Sequence, residues 1–186
     1  MIKTFISTCA FICLFVLSSL ALFQAENGPK FEQPLLITSA GQSAEVQLAS
    51  VLAKRAELDF KLSKMATTED LEGTKSVCLV IGVSLKGLGA AGLDMAQEKE
   101  RVTALLTAAQ EKGIPVLCLH LGGEQRRGQQ TDMMIKEFLP YARMALVVKS
   151  GNKDSLFNSI CETKGIPLIE VEKTVDALPP IKEAFN

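Results

Sequence analysis

Four short stretches of this sequence hold residue types and spacings suited to chemistry. Thr38-Ser39-Ala40-Gly41-Gln42-Ser43 joins hydroxyls, an amide side chain and a glycine just before an amphipathic stretch that starts near Ala44. A helix beginning there points free amides into the loop, and with hydroxyls and close backbone approach the combination binds anions. The plainer reading is a turn in which Ser43 caps the helix. A second stretch, Ser84 to Gly92, adds another hydroxyl and Lys86. It contains Gly87-x-Gly89-x-x-Gly92, formally the dinucleotide fingerprint. Ser84-Leu85-Lys86 separate that pattern from the preceding strand, the helix start falls at Asp94, and His120 stands where an acidic residue should end the next strand. A nicotinamide site is therefore not expected.

The third stretch runs from His120 to Gly128 and holds the only imidazole of the chain, followed by Gly122-Gly123 and by Arg126 and Arg127. His120 is a candidate general acid or base, with a structural histidine as the plainer reading. Ser39, Ser84 and Glu124 are possible companions, but no nucleophile-elbow sequence supports a hydrolase. Adjacent side chains on a helix point about 100° apart, so the two arginines cannot share one role. One is expected in a crevice, gripping a carboxylate or phosphate with its planar fork. The other is expected at the surface or paired with Glu124. The fourth stretch, Lys149 to Lys153, adds two more cations.

One histidine removes every metal site that needs two, so no metal is expected. TSAGQS has some likeness to a flavodoxin phosphate loop, but the chain has no Trp and its one Tyr, Tyr141, lies at a helix end away from these loops. No flavin is expected. The candidate ligand-binding set is Ser39, Gly41, Gln42, Ser43, Ser84, Lys86, Gly87, Arg126 and Arg127, with His120 as the candidate catalytic group.

These stretches need a scaffold that gathers them. Apolar runs of strand length recur at residues 34–38, 58–62, 76–83, 116–121, 144–149 and 167–171, and amphipathic stretches lie between them. Ser76 to Val83 is continuously apolar, as in a strand buried on both faces, whereas Leu58 to Leu62 alternates as a half-exposed strand does. Helices are expected over 44–56, from Asp94 to Gly113, near 129–142, from Asn152 to Gly165 and over 176–185, with a short capped helix from Thr67 to Gly73. Asp94 with Gln97 forms a capping box. Gly113 and Pro115 stop the long helix, and Gly165 and Pro167 repeat that solution.

Such alternation gives an α/β fold, a doubly wound parallel sheet of five or six strands in a flavodoxin-like or Rossmann-like three-layer sandwich. The first strand is expected inside the sheet and the second at an edge. All four chemistry-bearing stretches then follow strands and meet at the carboxyl edge, where ligands of such sheets sit.

The chain has 186 residues, 20 Lys+Arg against 21 Asp+Glu, and 47% hydrophobic residues. A net charge of −1 leaves no global cationic field for nucleic acid. Residues 1–25 carry Lys3 as their only charge, then an apolar run to about Phe23 and small-residue sites ending at Ala21 and Ala25. They read as a secretory signal peptide, with an uncleaved N-terminal anchor as the alternative. Export to the periplasm or beyond follows, with no membrane contact after cleavage. Residues 26–33 read as a short linker and 34–186 as one domain. Cys78, Cys118 and Cys161 remain in it, an odd number lying in or beside apolar sequence, and they read as buried free thiols.

PLLITSAGQSAEV, IGVSLKGLGAAG, LHLGGEQRRG and KSGNKD, taken in order, resemble a family of exported bacterial domains of unknown function over about residues 34–186. The resemblance implies a bacterial exported α/β domain and transfers no catalytic residue. Three functional readings follow from the residues. The first is a binding domain for a small anionic metabolite, without a cofactor. The second is a small-molecule enzyme using His120. The third is an interaction module for another exported protein.

Overall fold

The computed structural model describes residues 28–185. The expected leader lies outside them. Six parallel strands form one sheet in the order β2-β1-β3-β4-β5-β6. They are β1 (Leu35–Ala40), β2 (Phe60–Leu62), β3 (Ser76–Ile81), β4 (Val116–His120), β5 (Met144–Val148) and β6 (Leu168–Val171). β2 is an edge strand and β1 lies one strand in. The order reverses at β1, so the flavodoxin-like switch point falls between the carboxyl ends of β1 and β3.

Burial on both faces explains the unbroken apolar runs: every residue of β1, β3, β4 and β5 is buried. Successive side chains feed opposite cores. Leu36, Leu79, Cys118 and Val147 face one, and Ile37, Val80, Leu119 and Leu146 face the other. Helices α3 (Met95–Glu111), α4 (Gln129–Phe138) and α5 (Leu156–Lys164) cover the first face through Val102, Leu106, Phe138 and Phe157. Helices α1 (Glu45–Arg55) and α6 (Leu178–Phe185) cover the second through Val46, Leu52 and Ile181. A short helix, α2 (Leu85–Ala90), sits beyond β3. Burial pushes the Cys78 thiol up to about 12 and the Cys161 thiol to about 11, as inert core thiols require.

The punctuation residues act as their chemistry dictates. Gln97 N donates to Asp94 Oδ1 at 2.8 Å and Asp94 N donates to Gln97 Oε1 at 2.9 Å, closing the capping box of α3. The helix expected over 129–142 stops at Phe138 and continues as a tighter turn over Leu139–Tyr141, because Pro140 has no N–H to extend the α-helical ladder. Asn152 caps α5 from a distance. Ser155 takes the left-handed N-cap position, and Asn152 Oδ1 accepts from Phe157 N at 3.0 Å.

Phe31, within the segment read as a linker, is part of the fold. Phe31 is buried in the second core, its ring 5.6 Å from that of Phe185, and its N–H donates to the Ala184 carbonyl. One large aromatic followed by polar residues lacks the periodicity of an element, which is why the segment looks unstructured in sequence.

Candidate functional site

The switch-point loop does gather donors, and the chain supplies their acceptor. Gly41 has φ +106°, a value that favours glycine, and an added Cβ would lie 2.5 Å from the Gly82 carbonyl oxygen. Its N–H donates at 2.8 Å to Oε1 of Glu98, a fully buried carboxylate from the first turn of α3. Gln42 Nε2 donates to both carboxylate oxygens, at 3.1 and 3.3 Å. Arg101 grips the same group with Nε and Nη2, each at 2.9 Å. Its remaining donors tie down the carbonyls of Ala66 and Ser39. Ser39 is fully buried. Gly41 and Gln42 therefore serve an internal anion. Their expected role toward an external one is not what the geometry provides.

The second loop differs from its sequence reading more simply. Leu85–Ala90 form α2, and Ser84 Oγ accepts from Gly87 N at 3.1 Å as its N-cap. Gly87 packs against the Gln42 carbonyl, leaving no room for a side chain. Ser84 and Gly87 thus shape a helix start and its docking. Lys86 is exposed.

His120 is fully buried. Nδ1 faces the Ile81 carbonyl at 2.9 Å and Nε2 the Gly123 carbonyl at 3.2 Å. The Phe157 ring lies 5.3 Å away, and Gly151 closes the remaining side, where an added Cβ would come within 2.7 Å of the imidazole. A neutral ring donates to one of those carbonyls and a protonated ring to both. Burial lowers its pKa, and the carbonyl contacts oppose that only in part. Both nitrogens being occupied, His120 fastens β3 to the loop after β4 and has no open atom for acid–base work. The enzyme reading built on it loses its central residue.

Arg126 and Arg127 take different roles because a tight turn ends between them, Arg127 being already extended with φ −82° and ψ 161°. The turn is Gly123–Arg126. Arg127 is nearly covered. Nε donates to Asp132 Oδ1 at 2.7 Å, Nη1 and Nη2 hold the Asp154 carboxylate at 2.9 and 2.8 Å, and Nη1 also donates to the Gly151 carbonyl. Its guanidinium carbon stands 5.8 Å from the Phe157 ring centre. Hydrogen bonding from Arg127 holds Asp154 down at about 2. The expected partner Glu124 instead takes Lys153 at 2.6 Å, and Lys149 takes Glu172. Arg127 is a structural clamp rather than a surface charge.

Arg126 uses one nitrogen. Its Nε donates to Glu45 Oε1 at 2.7 Å, and among the described residues neither terminal nitrogen has a partner. The side chain remains about a third exposed and borders a crevice of about 260 Å³. Gln125, Arg127, Gly128, Val83 and the first turn of α4, Gln129 to Thr131, complete the lining. That turn contributes N–H groups without intrahelical acceptors, and Thr131 Oγ1 accepts from Val83 N. Glu45 itself is buried. Burial pulls its pKa up, but the Ser43 hydroxyl, the Arg126 guanidinium and its own amide outweigh that and hold it below the ordinary value. Ser43 Oγ and Glu45 Oε2 lie side by side without good hydrogen-bond geometry, and Ser39 Oγ also lacks a partner.

Sequence reasoning overlooked Glu45, Glu98 and Arg101. Its missed signal was periodicity. Glu98 lies four residues before Val102 and seven before Leu105, both on the buried stripe of α3. Glu45 lies four before Ala49 on the buried stripe of α1. An acid on a core-facing stripe must have a partner. No cluster of three metal-ligating side chains occurs among the described residues.

The fold and crevice define a three-layer α/β domain with an arginine-bearing site at the carboxyl edge. The chain belongs to the family described as Domain of unknown function (DUF6305), whose model matches residues 32–185. No curated protein matches. Among solved structures, it is similar to a putative lipolytic protein of the G-D-S-L family from Desulfitobacterium hafniense, at 16% identity over 73% of this chain and 75% of that one, with a TM-score of 0.34. It is similar to a mutant of esterase AlinE4 at 12% identity over 84% of each chain, with a TM-score of 0.31. A GDP-L-fucose synthetase from Naegleria fowleri bound to NADP follows at 10% identity over 79% and 51%, with a TM-score of 0.34. Nothing about activity follows from likenesses this loose.

Proposed function

We propose that this is an exported binding domain for a small molecule bearing a carboxylate, held in the crevice beside Arg126. The observation that carries the reading is the half-used guanidinium. Glu45 fixes its plane through Nε, the two terminal nitrogens have no partner among the described residues, and the side chain lines the crevice. A planar fork held in one orientation loses little freedom on gripping a carboxylate, and it binds with two parallel hydrogen bonds. Free amides at the start of α4 suit the same charge.

The surroundings favour a single negative charge. Glu45, Asp132 and Asp154 stand around the two arginines, so three carboxylates face two guanidinium groups and a phosphate dianion meets about twice the repulsion that a carboxylate monoanion does. Binding is favoured over catalysis because His120 is enclosed and Glu45, held below its ordinary value, is a poor proton donor. Thermal-shift screening of the protein against a panel of small carboxylates and inorganic phosphate tests the reading. A carboxylate at 100 times its dissociation constant should add about 2.7 kcal/mol of stability. A panel that shifts nothing, or that shifts only with phosphate, defeats it.

A further inference from the structure

We infer that the opposite, amino-terminal edge of the sheet is an interaction surface for an anionic phospholipid membrane. A groove of about 670 Å³ lies there, bordered by Lys30, Lys75, Lys112 and Arg143 and by two acids, Glu32 and Glu72. At the carboxyl edge Arg126, Arg127, Lys149 and Lys153 are each paired with a carboxylate, and Lys86 alone of the loop cations is not, among the described residues. None of the four groove cations has a carboxylate partner among the described residues; Lys30 alone is engaged, donating to the Glu183 carbonyl at 2.8 Å. Four cations against two acids leave an uncompensated excess of two positive charges in one concave surface.

The groove continues into a second, of about 320 Å³, through Gly113, Ile114, Pro115 and Arg143. That extension presents Ile114, Pro140 and Tyr141. Lysine and arginine beside a tyrosine and short apolar side chains are the composition of a surface that rests in the headgroup layer, where cations meet lipid phosphates and an aromatic ring spans wet and dry zones.

Chain connectivity places this edge next to a bilayer. Lys30 and Glu32 both border the groove, and the 25 residues that precede Glu26 carry Lys3 as their only charge. The apolar run ends near Phe23, so seven residue steps separate it from Lys30, and a chain extends at most about 3.5 Å per residue. While the apolar stretch is held in a membrane, before cleavage or as an anchor, Lys30 stays within about 25 Å of it. The remaining groove cations are then the ones brought toward the lipid phosphates. The carboxyl edge, with the Arg126 crevice, points away from the membrane and stays open to solute.

The test uses the full chain with Cys9→Ser and Cys13→Ser, reconstituted in vesicles of phosphatidylcholine with 0 to 40% phosphatidylglycerol. One fluorophore is attached at Thr74→Cys, in the groove, and in a second sample at Gln129→Cys, beside the Arg126 crevice. Quenching by a headgroup-borne quencher reports proximity to lipid. The expected result is at least threefold stronger quenching at position 74 than at 129, rising with phosphatidylglycerol. Lys75→Glu with Lys112→Glu should return it to the level of uncharged vesicles, and both sites are exposed, so folding is not at stake. Equal quenching at the two positions, or a position-74 signal indifferent to both phosphatidylglycerol and the double substitution, overturns the inference.

Discussion

Two neighbouring stations on the carboxyl edge hold positive hydrogen-bond donors, yet they stand in opposite states. Around Gly41 and Gln42 the donors converge on Glu98, and Arg101 completes the enclosure. Around Gly122 to Thr131 Arg127 is spent on Asp132 and Asp154, but its neighbour is only half used. Arg126 is anchored at one end by Glu45 and open at the other. An anion-binding loop is a geometry of donors, and a fold can close it with its own carboxylate as readily as leave it for a ligand. Whether the acceptor is internal depends on a residue 57 positions away in sequence.

Removing the internal acceptor gives the largest effect. Glu98→Ala should destabilise the protein by about 3–5 kcal/mol in urea unfolding, because the Arg101 guanidinium is left buried without a counter-charge and the Gly41 N–H loses its acceptor. Formate, which fits the vacated carboxylate position, should restore part of the loss for the variant and do nothing for the wild type. A loss below about 1 kcal/mol, the scale of an ordinary exposed ion pair, would mean that the loop does not depend on its internal anion.

Next comes the clamp. Arg127→Ala removes hydrogen bonds to Asp132, Asp154 and the Gly151 carbonyl and uncovers Phe157. A stability loss of about 2–3 kcal/mol is expected, and Arg127→Lys should recover little, since an ammonium cannot span the same fork. Asp154 contributes to this clamp only while ionised. Its pKa falls from 3.8 to about 2 on folding, so its stabilisation is complete above about pH 4 and disappears as the pH falls through about 2. The difference between wild type and Asp154→Asn should vanish over that window. Arg126→Ala should cost less than loss of Glu98, about 1–3 kcal/mol, since it leaves the buried Glu45 carboxylate without its guanidinium at a site solvent can reach, while removing ligand binding.

Much of this arrangement is legible in the sequence. The cap Asp94–Gln97, the stops at Gly113 and Gly165 and the apolar strands each depend on residues within a few positions, and local rules find them. The convergence of the loops at one edge follows from the alternation of elements. Two short-range features escaped. Leu85–Ala90 is a helix despite two glycines, because Ser84 caps it and Leu88 is buried. Phe31 is core although its neighbours are polar. What local pattern cannot give is which donor meets which acceptor. Arg126 and Arg127 are adjacent and identical in type, and their roles separate only when Glu45 arrives from α1 and Asp154 from the loop after β5. His120 carries the same lesson, since a strand end suggests a site until both carbonyls are seen to face it.

The smallest effect concerns His120. Burial lowers its pKa below the ordinary 6.5. A base whose folded value is lowered stabilises the fold fully above the unfolded value, and that stability is lost as the pH falls from about 6.5 through the folded value. The acid limb of the stability profile should therefore begin near pH 6.5, and His120→Asn should flatten that part of the profile. An unchanged profile in the variant would show that protonation elsewhere sets the limb.

The claim that the open end of Arg126 receives a carboxylate is tested most directly by calorimetric titration. The strongest stabiliser from the carboxylate panel is titrated into wild type, Arg126→Lys and Lys86→Ala, each confirmed folded by circular dichroism. Wild type and Lys86→Ala should bind with the same affinity, and Arg126→Lys should lose at least tenfold, because a point charge cannot replace the fork. Equal affinity in Arg126→Lys and wild type would contradict the account.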